Sequence, residues 1–311
     1  MFAAFLLAIP LLFSLWGNAN IAEREVFDPA DLAPGRFLTV DGVSMHYQLW
    51  GIPGADPTGA PVVLIHGFAS SSLEYFRLAP ILAGSRSVVA VDLAGFGFSE
   101  RLLEAGPQYS HRGQAELVAG LLDGLGVSRA DVVGASYGGA IAGQLALDRP
   151  DLVRQIVFLD AQIYAEGSGP GGIVARLPLG LNRALTWLTL GGGPLSSRLF
   201  ELACFEVDAC QAGGDLTEIF TPPTTIRGNV RGLVAFSRSP TDQRLPAEVA
   251  SIQQRALVIW GRHDAIVPPE NGERLAQDLP NARLVFIENA GHVPHIERPA
   301  ETARLILDFL P

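Results

Sequence analysis

The sequence predicts an α/β fold, in which an eight-stranded, mostly parallel sheet is flanked by helices and carries an inserted helical cap. From residue 37 onward, short β-branched runs alternate with stretches of helical periodicity, which is typical of parallel strands joined by crossover helices. Between Ala161 and about Pro246 this alternation stops, and the chain becomes rich in Leu, Gly and Pro. The pattern resumes at Ala256, so the segment interrupts one domain instead of separating two. We therefore assign residues 37–160 and 247–311 to the core and residues 161–246 to the cap.

The predicted strands begin with a hairpin and continue as buried runs. Phe37–Val40 and Val43–Trp50 flank the turn Asp41-Gly42, a dipeptide typical of tight hairpins. The later strands are apolar runs that end near a Gly or a polar residue: Val62–Ile65, Ser87–Val91, Asp131–Val133, Gln155–Leu159, Ala256–Trp260 and Arg283–Ile287. Helical periodicity with Pro or Gly near the ends predicts four helices: His111–Leu125, Gly138–Leu147, Pro269–Leu279 and Pro299–Leu310.

The composition indicates a globular protein and argues against nucleic-acid binding. The chain of 311 residues is 48% hydrophobic and 17% charged, which is enough apolar material for a large core. Its net charge is −10, all 22 basic residues are Arg, and they form no basic cluster. We expect neither a nucleic-acid partner nor a metal or organic cofactor.

The N-terminus differs from the start of an ordinary soluble domain. Met1–Trp16 is almost entirely apolar and carries no charged side chain, and the first ionisable side chain is that of Glu23. The run is shorter than the roughly 20 residues of a spanning helix, contains Pro10, and lacks the basic n-region of a typical signal peptide. We interpret residues 1–22 as a signal peptide or membrane anchor, which predicts export or membrane association. The alternative is an apolar leader on a cytoplasmic protein.

The two cysteines lie close together in the predicted cap. Cys204 and Cys210 are six residues apart, and this spacing can close a small disulfide loop if the protein matures outside the cytosol. Two buried thiols are the alternative. No His or further Cys lies at metal-ligand spacing from the pair, so we do not predict a metal site.

The candidate nucleophile is Ser136. The sequence Gly134-Ala135-Ser136-Tyr137-Gly138 matches GxSxG, and it lies between a predicted strand and a predicted helix. This context places the serine on a sharp turn that exposes its hydroxyl, and the flanking glycines permit the strained backbone.

A serine hydroxyl needs a base and a group that orients the base. His292 lies in a Gly-flanked loop after the last strand, whereas its rival His295 is flanked by Pro and Ile, which indicates a packed supporting residue. Asp264 follows the strand that ends at Trp260, and Asp160 is a substitute acid at the end of another strand. Ser136, Asp264 and His292 thus all follow carboxyl ends of predicted parallel strands, where open α/β sheets bind their ligands.

From about residue 37 to the end, the chain resembles the α/β-hydrolase fold superfamily, and its capped serine esterase-like members in particular. In addition to the three residues above, the segments His66-Gly67-Phe68 and Asp92-Leu93-Ala94-Gly95-Phe96-Gly97-Phe98-Ser99 are similar to segments that recur in that family. The resemblance implies a catalytic triad of Ser136, Asp264 and His292. It also implies an oxyanion hole formed by the backbone N–H groups of Phe68 and Tyr137.

The resemblance implies hydrolysis of carboxylic esters, and the Leu-rich cap favours a small-molecule substrate with an apolar acyl or aromatic group. A serine at the elbow argues against the epoxide- and halide-cleaving relatives, which use a carboxylate there. Carbon–carbon bond hydrolases and cofactor-free perhydrolases share the same triad and remain alternatives. A protein that binds ligands without turnover is a further alternative, because a fold does not guarantee a function.

Overall fold

The computed structural model describes residues 2–51, 59–164, 174–211, 216–240 and 244–311, without the side chains of residues 2–8 and 217–219. Parts of the predicted cap, residues 165–173, 212–215 and 241–243, therefore lie outside the described residues. The described chain contains an eight-stranded sheet, which confirms the predicted fold class.

The strands follow the order β1-β2-β4-β3-β5-β6-β7-β8 across the sheet. The two pairs that involve β2 are antiparallel, and all other pairs are parallel. The strands are β1 Arg36–Val40, β2 Val43–Trp50, β3 Val62–Ile65, β4 Val88–Val91, β5 Ala130–Ala135, β6 Val153–Leu159, β7 Arg255–Gly261 and β8 Ala282–Ile287.

Strand β5 is longer than the sequence predicted, because the prediction ended at Val133. Gly134 and Ala135 continue the ladder, because they pair with Phe158 and Leu159 of the neighbouring strand β6. The longer ladder carries the chain directly into Ser136.

Helices cover both faces of the sheet, and the four predicted helices begin and end within a residue of the observed ones. Between β6 and β7 the described residues form helices and short 3₁₀ turns but no strand. The helices are α1 Phe2–Arg24, α2 Pro29–Leu32, α3 Leu78–Leu82, α4 His111–Gly124, α5 Tyr137–Asp148, α6 Leu179–Thr189, α7 Ser196–Glu201, α8 Val207–Gln211, α9 Leu216–Thr224, α10 Asn229–Arg238, α11 Arg244–Glu248, α12 Pro269–Asp278, α13 Pro294–Glu297 and α14 Pro299–Phe309.

The core consists of two apolar clusters, one on each face of the sheet. Alternate residues of β3 point to opposite faces: Val63 and Ile65 belong to one cluster, and Val62 and Leu64 to the other. All four side chains are fully buried. The central parallel strands are therefore covered on both faces, as their continuous apolar sequences require.

The N-terminal helix α1 packs on the cap helix α6. The ring of Trp16 meets that of Trp187 edge-on at 5.0 Å, and the amide of Asn18 donates to the carbonyl of Gly180 at 3.0 Å. Gly17 lies so close to α6 that a Cβ on it would stand 2.5 Å from Cβ of Ala184.

The chain beyond α1 is also bonded to the cap. The carboxylate of Glu25 accepts the N–H groups of Gly228 and Val230 at the start of α10, at 3.0 and 2.7 Å. Across the described residues, we find no helix with both the length and the apolar character needed to cross a membrane. That residues 1–22 are a signal peptide or anchor stays a prediction.

Candidate active site

Ser136 occupies a strained turn between β5 and α5. Its φ is +50° and its ψ is −117°, a conformation that residues with a side chain rarely adopt. The backbone on both sides fixes it, because Ser136 N–H donates to Leu159 and Ser136 C=O accepts from Gln162, each at 2.9 Å. A Cβ on Gly138 would collide with the carbonyl oxygen of Ile65, so a glycine is needed at this position. The turn presents the Ser136 side chain to a large cavity.

His292 and Asp264 form a hydrogen-bonded pair at the same end of the sheet. The distance from His292 Nδ1 to Asp264 Oδ2 is 2.7 Å. Since the carboxylate accepts, Nδ1 carries the proton, and Nε2 is left as the basic nitrogen. The other carboxylate oxygen of Asp264 accepts the N–H groups of Ile266 and Val267 at 2.8 and 2.9 Å. The Asp264 side chain is buried, whereas that of His292 is 10% exposed and lines the cavity that Ser136 also lines.

Asp160, the substitute acid, lies behind this pair instead of replacing Asp264. Its Oδ1 accepts the N–H of Gly261 at 2.8 Å. Burial and the nearby charge of Asp264 raise the pKa of Asp160 well above its usual value. A protonated Asp160 can donate to Asp264, which leaves the charge on the carboxylate that binds His292.

Asp160, Asp264 and His292 also form the one group of potential metal ligands found in the described residues, with ligand atoms within 4.8 Å of one another. The 2.7 Å contact between His292 and Asp264 is a hydrogen bond, and it leaves no space for an ion between these two atoms. The group therefore fits a hydrogen-bonded network better than a metal centre.

Phe68 and Tyr137, the predicted oxyanion-hole residues, both line the cavity beside Ser136. Tyr137 is the first residue of α5, so its N–H has no partner within the helix and remains available. Gly67, which precedes Phe68, is close enough that a Cβ on it would lie 3.4 Å from Cβ of Ser136. The arrangement brings two backbone segments next to the serine, as the stabilisation of an oxyanion requires.

The cavity has a volume of about 1060 Å³ and mostly apolar walls. It lies between the sheet and the cap. Aromatic and aliphatic side chains of both parts line it, among them Phe68, Tyr109, Tyr137, Leu190, Phe236 and Val293. Three exposed arginines, Arg24, Arg176 and Arg238, also border it. A cavity of this size accommodates an extended small molecule.

Sequence reasoning missed a buried pair next to the candidate nucleophile. Glu74 Oε1 lies 3.6 Å from His295 Nε2, and the Glu74 carboxyl accepts the N–H of Gly67 at 3.2 and 3.3 Å. Burial raises the pKa of Glu74 to about 7 and lowers that of His295 to about 3. The glutamate between Leu73 and Tyr75 was the one acidic side chain in the turn Ser72–Tyr75. Nothing in the sequence indicated that Arg24 would border the cavity.

Comparisons with known proteins agree with this fold. The family model described as the alpha/beta hydrolase fold matches residues 60–299. The chain is 31% identical to the uncharacterized hydrolase YugF of Bacillus subtilis, over 90% of this chain and 98% of that protein. It is also 31% identical to 2-hydroxymuconate semialdehyde hydrolase of Pseudomonas putida, over 81% of this chain and 87% of that protein.

A solved structure shows the same similarity. The enol-lactonase of Burkholderia xenovorans LB400 is 25% identical, with a TM-score of 0.70 over 88% of this chain and 99% of that one. Family model, relatives and structure therefore agree over most of the sequence, and the chain belongs to the α/β hydrolase fold family of hydrolases.

Proposed function

We propose that the protein is a serine hydrolase that cleaves carboxylic esters of apolar acyl or aromatic compounds through an acyl-enzyme intermediate. The observation that carries the proposal is that Ser136, on its strained turn, and His292, bonded to Asp264, line the same mostly apolar cavity. Family membership alone does not define the bond that is cleaved.

In the proposed mechanism, Ser136 Oγ attacks the ester carbonyl while His292 Nε2 takes its proton. Asp264 keeps the imidazole in the required tautomer and stabilises it once it is charged. The N–H groups of Phe68 and Tyr137 stabilise the oxyanion of the tetrahedral intermediate. His292 then returns the proton to the leaving alcohol. In the second half of the reaction, water attacks the acyl-enzyme while His292 takes its proton, and His292 returns that proton to Ser136 as the acid product leaves.

The test is hydrolysis of a series of p-nitrophenyl esters of increasing acyl length at neutral pH. We expect Ser136→Ala to lower kcat by at least about 10⁴-fold, because the nucleophile is lost. Ser197→Ala is the matched control, since Ser197 also lines the cavity but lies on the cap helix α7. Full activity of Ser136→Ala would refute the serine mechanism, and a preference for charged over apolar esters would refute the substrate class.

A second candidate is hydrolysis of a carbon–carbon bond. The relatives favour it, because several are named as hydrolases of 2-hydroxymuconate semialdehyde or of 2-hydroxy-6-oxo-dienoates. Assaying a 2-hydroxy-6-oxo-dienoate beside the esters separates the two. Turnover of the dienoate without turnover of any ester would replace the ester proposal, with Ser136 still the nucleophile to be tested.

We also propose that the protein works outside the reducing cytosol with its N-terminal helix retained. The structure contains a disulfide between Cys204 and Cys210, and such bonds persist in oxidising compartments. The contacts of Trp16, Gly17 and Asn18 with α6 would be lost if α1 were removed. A mass of the mature protein equal to that of the whole chain is expected, and a mass lacking about 20 residues would contradict retention.

A further inference from the structure

The cap contains a small closed loop that packs on the chain around His292. Cys204 and Cys210 are joined by a disulfide, and we name residues 204–210 the disulfide loop. The side chain of Cys210 is fully buried in a cluster with Val293 and Ile296, which follow His292 in the sequence. The disulfide therefore lies directly against the segment that carries the proposed base.

The entrance to the disulfide loop is bonded to the backbone of His292 itself. The N–H of His292 donates to the carbonyl of Ala203 at 2.7 Å. A Cβ on Gly291 would lie 2.6 Å from that carbonyl oxygen and 2.7 Å from the nitrogen of Phe205. The two backbones approach so closely that a displacement of Ala203 displaces His292.

A buried carboxylate joins the same two segments. Glu297 Oε1 accepts the N–H of Gly291 at 2.7 Å. Glu297 Oε2 accepts the N–H groups of Phe205 and Glu206, each at 2.9 Å. One side chain thus holds the residue before His292 and two residues of the disulfide loop in a common arrangement.

The far end of the disulfide loop is held as well. The guanidinium of Arg77 donates to the carbonyls of Ala209 and Cys210, both at 2.8 Å, and to that of Ile296 at 2.7 Å. The loop is therefore attached to the His292 segment at both of its ends.

The disulfide loop also contacts the segment that carries Asp264. The ring of Phe205 stacks on the imidazole of His263 at 3.9 Å, with an angle of 10° between the planes. His263 immediately precedes Asp264 in the sequence. Both members of the hydrogen-bonded pair thus have a neighbour in contact with the same loop of the cap.

We infer that the disulfide loop positions His292 and Asp264 for hydrolysis, and that full activity requires the oxidised Cys204–Cys210 bond. This inference rests on the proposed function, because it assigns His292 the role of base. A dithiol reagent breaks the bond by supplying two electrons and two protons, which yields two cysteine thiols, while the reagent is oxidised to its own cyclic disulfide. The freed loop then no longer fixes Ala203 and Phe205 against the two segments.

The experiment compares the oxidised protein, the protein reduced with dithiothreitol and the variant Cys204→Ser/Cys210→Ser. The readouts are kcat and KM for a p-nitrophenyl ester at a temperature where circular dichroism shows all forms folded. We expect kcat to fall about tenfold to a hundredfold with KM changed less than about twofold, because misplacement of a base affects the chemical step. The double variant should not respond to dithiothreitol, which controls for other effects of the reagent.

Unchanged kcat in a protein with two titratable thiols per chain would overturn the inference. If loss of the disulfide unfolds the protein, Phe205→Ala decides, since it keeps the bond and changes only an exposed ring on His263. We expect a severalfold fall in its kcat, and an unchanged kcat would overturn the inference.

A spectroscopic measurement separates this inference from the proposed function. The proton between His292 Nδ1 and Asp264 gives a low-field proton resonance that does not depend on any substrate. We expect this resonance to broaden or shift on reduction. If the oxidised protein hydrolyses no ester and a fluorophosphonate does not label Ser136, the proposed function fails, and the resonance still reports whether the disulfide loop positions the pair. An identical resonance before and after reduction would contradict positioning.

Discussion

Among the described residues, two histidine–aspartate pairs have nearly the same length but different surroundings. The pair at the cavity, His292 with Asp264, measures 2.7 Å, and the pair His46 with Asp92 measures 2.8 Å. Both side chains of the second pair are fully buried. Burial alone would raise the pKa of Asp92. The hydrogen bond and charge of His46, the charge of His66 and the backbone N–H of Phe98 together lower this pKa to about 2.

The difference lies in what each pair faces. Asp92 also accepts the N–H groups of Ser72 and Phe98, so it joins the hairpin strand β2 to two loops. His292 instead lines a cavity beside a serine on a strained turn. A buried pair of this kind organises the fold, and only a pair next to a nucleophile and an open cavity has a substrate to act on.

The strongest test of this comparison is Asp264→Asn. We expect kcat to fall about 10³- to 10⁴-fold at neutral pH, because an amide favours the wrong tautomer of His292. The free energy of unfolding should change little by comparison. Steady-state kinetics with urea unfolding of the same samples checks both, and a kcat within tenfold of the wild type would remove Asp264 from the mechanism.

Asp92→Asn should show the opposite pattern. Removing one charge from the buried network is expected to lower the free energy of unfolding by about 3 to 5 kcal/mol. The kcat of the molecules that remain folded should stay within a few-fold of the wild type, since Asp92 does not line the cavity. Urea unfolding and active-site titration measure the two quantities. A large loss of kcat with an unchanged free energy of unfolding would contradict a purely structural role for Asp92.

Glu74, next to His295, combines burial with a place at the cavity, and Glu74→Gln tests its titration. The folded state retains the Glu74 proton up to a pKa of about 7, whereas the unfolded chain releases it near the ordinary value of 4.5. The wild type should therefore lose about 3 kcal/mol of unfolding free energy, relative to Glu74→Gln, as the pH rises between these two values. Unfolding curves of both proteins at several pH values test this, and a difference that does not change with pH would contradict it.

The smallest effect is expected for Asp160→Asn. Because burial and the charge of Asp264 raise the pKa of Asp160 and favour its protonated form, a side-chain amide can take the place of that form beside Asp264 and still accept from Gly261. We expect kcat to change by less than about threefold. A fall as large as that of Asp264→Asn would show that the charge of Asp160, and not its proton, supports the histidine.

The fold and the centre of the candidate site followed from local patterns. The strand runs predicted the sheet, and Ser136, Asp264 and His292 were each identified from the element that precedes them. The contacts of Ala203 and the disulfide loop with Gly291 and His292 could not be predicted. They join segments about 90 residues apart through backbone atoms, which carry no sequence signal. The Glu74–His295 contact was missed because the two side chains are far apart in the sequence, and the residues around each do not indicate the other.

The packing of α1 on the cap has a mechanical consequence. Gly17 of α1 packs closely against Ala184 of α6, and Glu25 links the same segment to the start of α10. A force applied near the N-terminus is therefore transmitted to the cap helices α6 and α10. We expect immobilisation of the protein by its N-terminus to restrain these two cap helices, and immobilisation by its C-terminus to leave them unrestrained.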